Sequence, residues 1–434
     1  MNLMYRLVWS HTARQRVPVA ENASGVSGRS GRPAAAVFIH RTLLSSLTAG
    51  SLCLASLVHA SPTGGQITVG SGNVTQTGNT TNIRQSSNDL VIDWQSFNVA
   101  ANQVVNFFQP SATAIAINRI LGNSASQIFG HLNANGQVWL INPNGILFGQ
   151  GSEVNVGGLI ASAFDVNNAA LGSSVRSFSG AGTGSIVNDG TIRASDGGYV
   201  ALIGNQVLNQ GVISAQLGTV ALGAGSAETL TFSGRQLIHL KVDQSTLNNL
   251  AANKQLIQAD GGQVIMTAGA QDSLLASVVN NTGVVQAHAV ENHNGTITLL
   301  AGMRAGEVEV GGTLDASAPA GESGGSIETS GARIAVSKNA EVVAGPGGSW
   351  RIDPIDLTID AAAATAIENS LNTGTSVTEQ TTATTASGFG TQTAGLGNIN
   401  VDAAITWTDA AATLTLSAYN AINVNAAVSG AGPV

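Results

Sequence analysis

Three carboxylates, Asp353, Asp356 and Asp360, stand three and four residues apart. Paired acids that hydrolyse a glycosidic bond face each other across the sugar at about 5 to 10 Å. A polysaccharide hydrolase or lyase is therefore the one enzyme class these residue types suggest. Arg351 is the only basic residue beside them, and Asp360 precedes an alanine-rich run where it reads as a helix N-cap. Catalysis is not expected from such a set. The seven histidines are scattered, and His288 and His293 lack both a neighbouring cysteine and the i, i+4 spacing of a helical metal pair, so no metal site is expected. The glycine-rich segments lack the Lys-Ser/Thr ending of a phosphate loop and the Gly-x-Gly-x-Asp pattern of calcium repeats. These glycines read as turns, and no cofactor is implied.

The turns belong to repeats. One unit is Gly-Gly followed by an alternating strand, as in Gly197-Gly198-Tyr199-Val200-Ala201-Leu202 and Gly261-Gly262-Gln263-Val264-Ile265-Met266, with further copies at Gly324 and Gly347 and variants at Gly218 and Gly295. A second unit is Asn-x-Gly-x-Ile-x-Ala, beginning at Asn188 and Asn209 and varied at Asn281. Successive copies of the first unit lie 20 residues (Gly198 to Gly218) to 44 residues (Gly218 to Gly262) apart, which is solenoid spacing. The period-2 pattern puts Val200 with Leu202, Val264 with Met266, and Ile297 with Leu299 on one face. A sheet wound as a coil gives those faces a common interior. The fold class expected is all-β, a parallel β-helix with short helical and hairpin inserts.

Helical inserts are expected between Val242 and Lys254, presenting Leu247 and Leu250, and between Ala270 and Val279, presenting Leu274, Leu275 and Val278. After Trp350 to Ile359, a helix capped by Asp360 and ended by Gly374 should place Ile367 and Leu371 on one face. Thr375 to Gly397, rich in Thr, Ala and Gly, reads as a loop before strands resume from Asn398.

The first sixty residues read as an address. A small apolar run from Gly50 to Val58 follows Arg29, Arg32 and Arg41 and ends at Val58-His59-Ala60, so cleavage is expected between Ala60 and Ser61. Residues 1–60 carry six of the 17 basic and one of the 25 acidic residues, leaving 11 minus 24, a charge of −13 on the rest. Nucleic acid and anionic membranes reward basic patches, so neither is expected as a partner. The only cysteine, Cys53, lies inside the leader, and a mature chain without disulfides suits transport as an unfolded thread.

Turn and strand chemistry alternate fastest between Asn118 and Ser162. Asn135-Gly136 precedes the strand formers Gln137 to Ile141, and Asn142-Pro143-Asn144-Gly145 then reverses the chain, because proline fixes φ and Asn-Gly supplies left-handed positions. The block contains NRILG at Asn118 to Gly122, SQIFG at Ser126 to Gly130, and NGQVWLINPNGILFGQGSEVNVGGLIAS at Asn135 to Ser162. It resembles the amino-terminal secretion domain of the two-partner secretion family, the filamentous-haemagglutinin-like exoproteins. Residues 1 to 25 likewise resemble the extended signal region of large exoproteins and autotransporters.

The resemblance implies a right-handed β-helix and a division into an extended signal peptide (1–60), the secretion domain (61–310), further rungs with a boundary segment (311–360), and a helix, loop and first exoprotein repeats (361–434) of a shortened chain. It makes Asn142, Pro143, Asn144 and Gly145 the turn read by the transporter, and Asn118, Arg119, Gln127, Gly130 and Trp139 family-motif residues. The implied partners are the general secretory machinery, an outer-membrane barrel transporter, and a host or neighbouring cell surface. Export through the periplasm of a Gram-negative bacterium to the medium or cell surface follows, with adhesion as the expected activity. A contact-dependent toxin or a haem-acquisition exoprotein is the alternative, since the same leader domain precedes both.

Overall fold

A computed structural model of the chain describes residues 5–10, 15–20, 61–167, 172–233, 236–244, 249–269, 277–290, 293–303, 305–381 and 396–434. Two units separate, Met1–Ala55 and Ser56–Val434. In the first, Tyr5–Ser10 and Gln15–Ala20 pair as an antiparallel hairpin. The expected apolar leader run and Ala60 lie outside the described residues.

The second unit is a parallel β-helix, as expected. Each turn of the coil passes through three faces; Gln206–Asn209, Val212–Ser214 and Thr219–Ala224 make up one such turn. The faces are sheets of 13, 11 and 8 strands. Pairing is parallel along them except at the amino-terminal end, where Gln66–Val69 and Gly72–Thr77 pair antiparallel with Asp89–Trp94 and Thr80–Gln85. Thirteen strands at about 4.8 Å spacing give the long face a length near 60 Å.

Register follows the side chains. Val200, Val220, Val264, Ile297, Ile327 and Trp350 stack in one inward column. Leu202, Leu222, Met266 and Leu299 form the next. Every one of these is almost wholly buried, which for large apolar side chains is worth about 1.5–3 kcal/mol each. Slipping a strand by one residue would turn its column to the outside, so the apolar period itself fixes register.

Two features convert the glycine and asparagine repeats into structure. In three copies of the unit the second position meets the turn beneath it: a Cβ on Gly218 would sit 2.0 Å from the Gly198 carbonyl oxygen, one on Gly262 2.0 Å from that of Gly218, and one on Gly325 2.0 Å from that of Gly295. The first glycine answers a different need, since Gly197, Gly261 and Gly347 adopt φ of 70°, 68° and 74°. In the second unit the asparagines turn inward. Asn188, Asn209, Asn253 and Asn281 are fully buried, and each Nδ2 donates to the next Oδ1 at 2.8 Å, a ladder across four rungs. Phe148 and Val310 occupy the same register position at its two ends.

A second layer covers part of the long face. Asp165–Val166, Val175–Ser179, Ala227–Ser233 and Gln236–Gln244 form an antiparallel sheet. The long-face strands Gln137–Ile141, Gly158–Ser162, Tyr199–Gly204 and Thr219–Ala224 are buried at every residue, whereas Ser349–Asp353 alternates. This hairpin insert corrects the expected helix after Val242: Val242 lies in the strand Gln236–Gln244 and Leu250 opens the strand Leu250–Asn253. Val278 likewise lies in the strand Ser277–Asn281, not a helix. At Val242, Leu250 and Val278 the backbone is satisfied by strand pairing, which outweighs local helical spacing there. Leu247, Leu274 and Leu275 fall outside the described residues.

The expected carboxy-terminal helix is present as α1, Ala361–Asn372. Asp360 caps it by accepting from the Ala362 and Ala363 amides, Ile367 and Leu371 are buried, and Gly374 leaves it at φ 84°. The start of the expected loop is corrected: Ser376–Gln380 is a strand of the long face, paired with the rungs on both sides; strands resume at Ile399–Val401, and residues 382–395 of the expected loop lie outside the described set. In Ser376–Gln380, Glu379 points inward between Ile352 and Leu416 in register. It is fully buried beside a cavity of about 110 Å³ bounded by Ile352, Ala363 and Ile367, without a hydrogen-bond partner among the described residues. Burial pushes its carboxyl up to about 8.

Two predictions follow from this packing. Gly262→Ala should destabilise the chain by about 2–3 kcal/mol in a denaturant titration, because its methyl meets backbone that cannot move aside. Gly172→Ala, with nothing within 4 Å of its Cβ, should stay within about 0.5 kcal/mol of the parent. For Glu379 the folded proton affinity is raised, so its contribution is complete below pH 4.5 and is lost as pH rises through about 8. Glu379→Gln should therefore lift the denaturation midpoint at pH 8.5 while leaving it nearly unchanged at pH 4. A variant whose gain is the same at both pH values would contradict the buried acid as the cause.

Candidate functional site

The turn Asn142 to Gly145 carries the chain from the long face into the strand Ile146–Phe148 of the third face. It closes through the Gly145 amide, which donates to the Asn142 carbonyl at 2.9 Å. Gly145 has φ 101°, and a Cβ there would lie 2.6 Å from the Ser185 carbonyl oxygen of the next rung. The two asparagines have different jobs. Asn142 is fully buried, its Nδ2 donating to the Ser124 carbonyl and the Ser126 hydroxyl at 3.0 Å each. Its Oδ1 accepts from the Asn144 amide at 3.0 Å and the Asn144 side chain at 3.2 Å. Pro143 and Asn144 are exposed, and Asn144 Nδ2 reaches the Gly122 carbonyl at 2.9 Å.

The corner is thus built from two of the sequence blocks at once. Gly122 ends NRILG, Ser126 begins SQIFG, and the loop between them is held down by Asn142 and Asn144. Ser126 in turn donates its amide to the Gly145 carbonyl at 3.0 Å. Sequence reading named the turn but missed Ser124 and Ser126 as its partners; the signal was a run of small polar residues, common to any loop. Chemically the corner is a neutral hydrogen-bonding surface with a rigid proline at its edge.

The remaining motif residues are distributed over other tasks. Asn118 is fully buried, accepts from Trp94 Nε1 at 3.0 Å and donates to the carbonyls of Ala116 and Trp139. Arg119 leaves the long face to pair with Asp165 at 2.7 Å and with the Val166 carbonyl, tying the antiparallel sheet to the coil. Gly130 packs between the carbonyls of Ala100 and Gln103, at 2.2 and 2.3 Å from its Cβ position. Gln127 is exposed on the strand Ser126–Ile128, its backbone engaged by Asn98 and Val99.

Trp139 lies under the antiparallel sheet. Its indole donates to the Tyr199 hydroxyl at 2.9 Å, which donates to Gln137 Oε1 at 2.7 Å. Its ring meets Phe178 and Phe232, and the Arg176 guanidinium carbon lies 4.8 Å from the Trp139 and Phe232 ring centroids. Burial pushes the Tyr199 phenol well up and draws Arg176 down, Tyr199 and Asp89 partly opposing the latter. Nothing in the sequence linked Arg176 to Trp139, since the two come from different layers. Ser61 is described, and its hydroxyl accepts from Gln103 Nε2 at 2.6 Å, so the chain is already engaged in the coil there.

The residues weighed for chemistry are occupied elsewhere. Asp356 accepts from the Leu396 and Asn398 amides, Asp360 caps α1, and Asp353 ends a strand. His288 is clasped between Asp260 at 2.9 Å and Asp315 at 3.0 Å on neighbouring rungs.

Comparison with known proteins places this architecture. Residues 58–314 match the family described as the TPS secretion domain, and residues 1–50 that described as the extended signal peptide of the type V secretion system. Two Haemophilus influenzae proteins, each named heme/hemopexin-binding protein, are 36% identical over 250 residues and 33% identical over 243. These matches take in 55% and 50% of this chain but 27% and 26% of theirs, so the chain spans about a quarter of the length of these relatives. The crystal structure of the HMW1 secretion domain from Haemophilus influenzae superimposes with a TM-score of 0.62 over 86% of this chain and 99% of that one, at 23% identity, a likeness of fold. The family match takes in 257 of 434 residues (58 through 314), and with the β-helix and the intact turn corner it establishes that the chain belongs to the TPS secretion domain family of two-partner secretion exoproteins.

Proposed function

We propose that residues 61–310 direct export of the chain through a cognate outer-membrane barrel, after passage by the general secretory route and cleavage between Ala60 and Ser61. The match across residues 58–314 carries this reading. The exposed Pro143–Asn144 edge is the part of the turn available to a transporter, while Asn142 and Gly145 build the turn beneath it. Residues 311–360 continue the rungs, and residues 361–434 begin the exoprotein's own repeats. No nucleotide is available outside the inner membrane, so folding at the surface supplies the drive. Each completed rung buries its inward side chains, and sliding back would re-expose them.

At the surface of a Gram-negative cell, or released from it, the exoprotein acts on a host or neighbouring cell. Among adhesion, toxin delivery and haem acquisition, the names of the two relatives favour haem acquisition. Binding of haem–hemopexin to the exported protein, measured against an unrelated exoprotein, tests that choice; attachment to cells without haem–hemopexin binding would return the reading to adhesion.

Deleting the barrel partner should leave the chain in the periplasm and sensitive to protease, and undiminished surface display in that strain would defeat the export reading. The two asparagines separate turn-building from recognition. Asn142→Ala removes a buried side chain with four hydrogen bonds and should cost about 3 kcal/mol, with secretion falling in step. Asn144→Ala, at an exposed position, should cost about 1 kcal/mol and lower secreted yield by more than that loss explains. Denaturation midpoints measured beside secreted yield decide the matter: an export defect for Asn144→Ala no larger than its stability loss would remove recognition from this residue.

A further inference from the structure

A groove of about 230 Å³ opens between the turn at Leu217–Gly218 and the start of the strand Gln236–Gln244. Leu217 and Leu237 give it an aliphatic surface, and Thr219, Gln236, Gln263 and Asn294 give it hydroxyl and amide groups. Among the described residues, no charged side chain lines it. Its polar groups are held in place: Thr219, 3% exposed, donates its hydroxyl to the Leu237 carbonyl, and Gln263 Nε2 donates to Thr219 Oγ1 at 3.1 Å and to the Leu237 carbonyl at 3.2 Å.

Leu217 is the unusual member. It is the only non-glycine residue with positive φ among the described residues, at 53°. The same turn position in other rungs is filled by Gly197, Gly261 and Gly347, at 70°, 68° and 74°. A left-handed backbone is disfavoured for an L side chain, and glycine is available to this fold at no such penalty. Nor does the leucine repay the penalty in the core, since it is 38% exposed and lies over Gly261 near Val290, itself 37% exposed. Backbone strain that the fold does not need collects where a side chain must be presented.

We propose that this groove binds a neutral pyranose unit of a glycan, the CH face of the ring resting on Leu217 and Leu237 and its hydroxyls meeting the side-chain amides of Gln236 and Asn294. Its volume is below the roughly 300–1,000 Å³ of drug-sized pockets, which suits one ring. An extended peptide is disfavoured because the strand forming the floor, Thr219–Ala224, is already paired on both edges, with Tyr199–Gly204 and Gln263–Ala268. Acidic saccharides are disfavoured by the net charge of −13 on the chain beyond the leader, 11 basic against 24 acidic residues. The site is independent of the export reading.

The test is saturation-transfer NMR and calorimetric titration of the purified, folded chain with the methyl pyranosides of glucose, galactose and mannose, with sialic acid and a neutral extended peptide as comparisons. At least one methyl pyranoside should bind saturably at millimolar concentration. Leu217→Gly should weaken that binding by about tenfold or more while raising the denaturation midpoint, and Asn294→Ala should weaken binding at an unchanged midpoint. Secreted yield should be normal for both, so a failure of export and a failure of this site are separable. Absence of pyranoside binding, tighter binding of sialic acid or the peptide, or a Leu217→Gly variant that binds as well as the parent would each overturn the proposal.

Discussion

The whole coil depends on how closely one turn can sit on the next. Strands in a sheet are held about 4.8 Å apart, and at the corners of the coil this spacing brings a carbonyl oxygen to about the place where a Cβ would be. Gly218 above Gly198, Gly262 above Gly218 and Gly325 above Gly295 show that contact at the same 2.0 Å, and Gly211 above Gly190 and Gly312 above Gly283 show it at the second corner at 2.1 and 2.0 Å. A chain with this fold must therefore spend glycine at fixed points of each turn. That steric demand accounts for the glycines at these corners of the coil.

Where corners are not glycine, they are polar groups that satisfy one another. The buried asparagine ladder does for the inner corner what backbone pairing does for the faces, since each amide serves as donor upward and acceptor downward. Such a ladder is stable only if every member is satisfied, because an unpaired buried amide loses its hydration without replacement. Its ends show how that is arranged: Asn281 Nδ2 turns to the carbonyls of Gly283 and Thr313, and Asn188 Oδ1 accepts from the Gly190 amide. An outer counterpart, with Asn398, Asn400 and Asp402 accepting from Asn420, Asn423 and Asn425, repeats the device at the carboxy-terminal rungs.

The fold was legible because its two periods, alternation within a strand and Gly or Asn at each corner, are written in residue types that have few other uses. Val200, Val264 and Ile297 were assignable to the interior from alternation alone, and Asp360 and Gly374 marked both ends of α1. The antiparallel sheet over Trp139 was not legible, since Val175–Ser179 pairs with Ala227–Ser233 some fifty residues on and the two segments share no repeat that announces the pairing. At the turn corner, proline and glycine disclosed the reversal. The division of labour between buried Asn142 and exposed Asn144 was hidden, because it depends on a loop sixteen to twenty-two residues earlier, from Gly122 to Ser126, that composition does not distinguish from others.

The direction of the backbone bonds gives the coil a mechanical character. In all three faces the hydrogen bonds between rungs run along the axis of the coil, across the strands they join. Tension applied between the two ends of such a structure pulls each rung's bonds apart one after another instead of shearing a whole sheet together. With corner units 20 to 44 residues apart, each release would lengthen the chain by roughly 70 to 150 Å. Under such tension the coil would yield in steps, shedding load rung by rung.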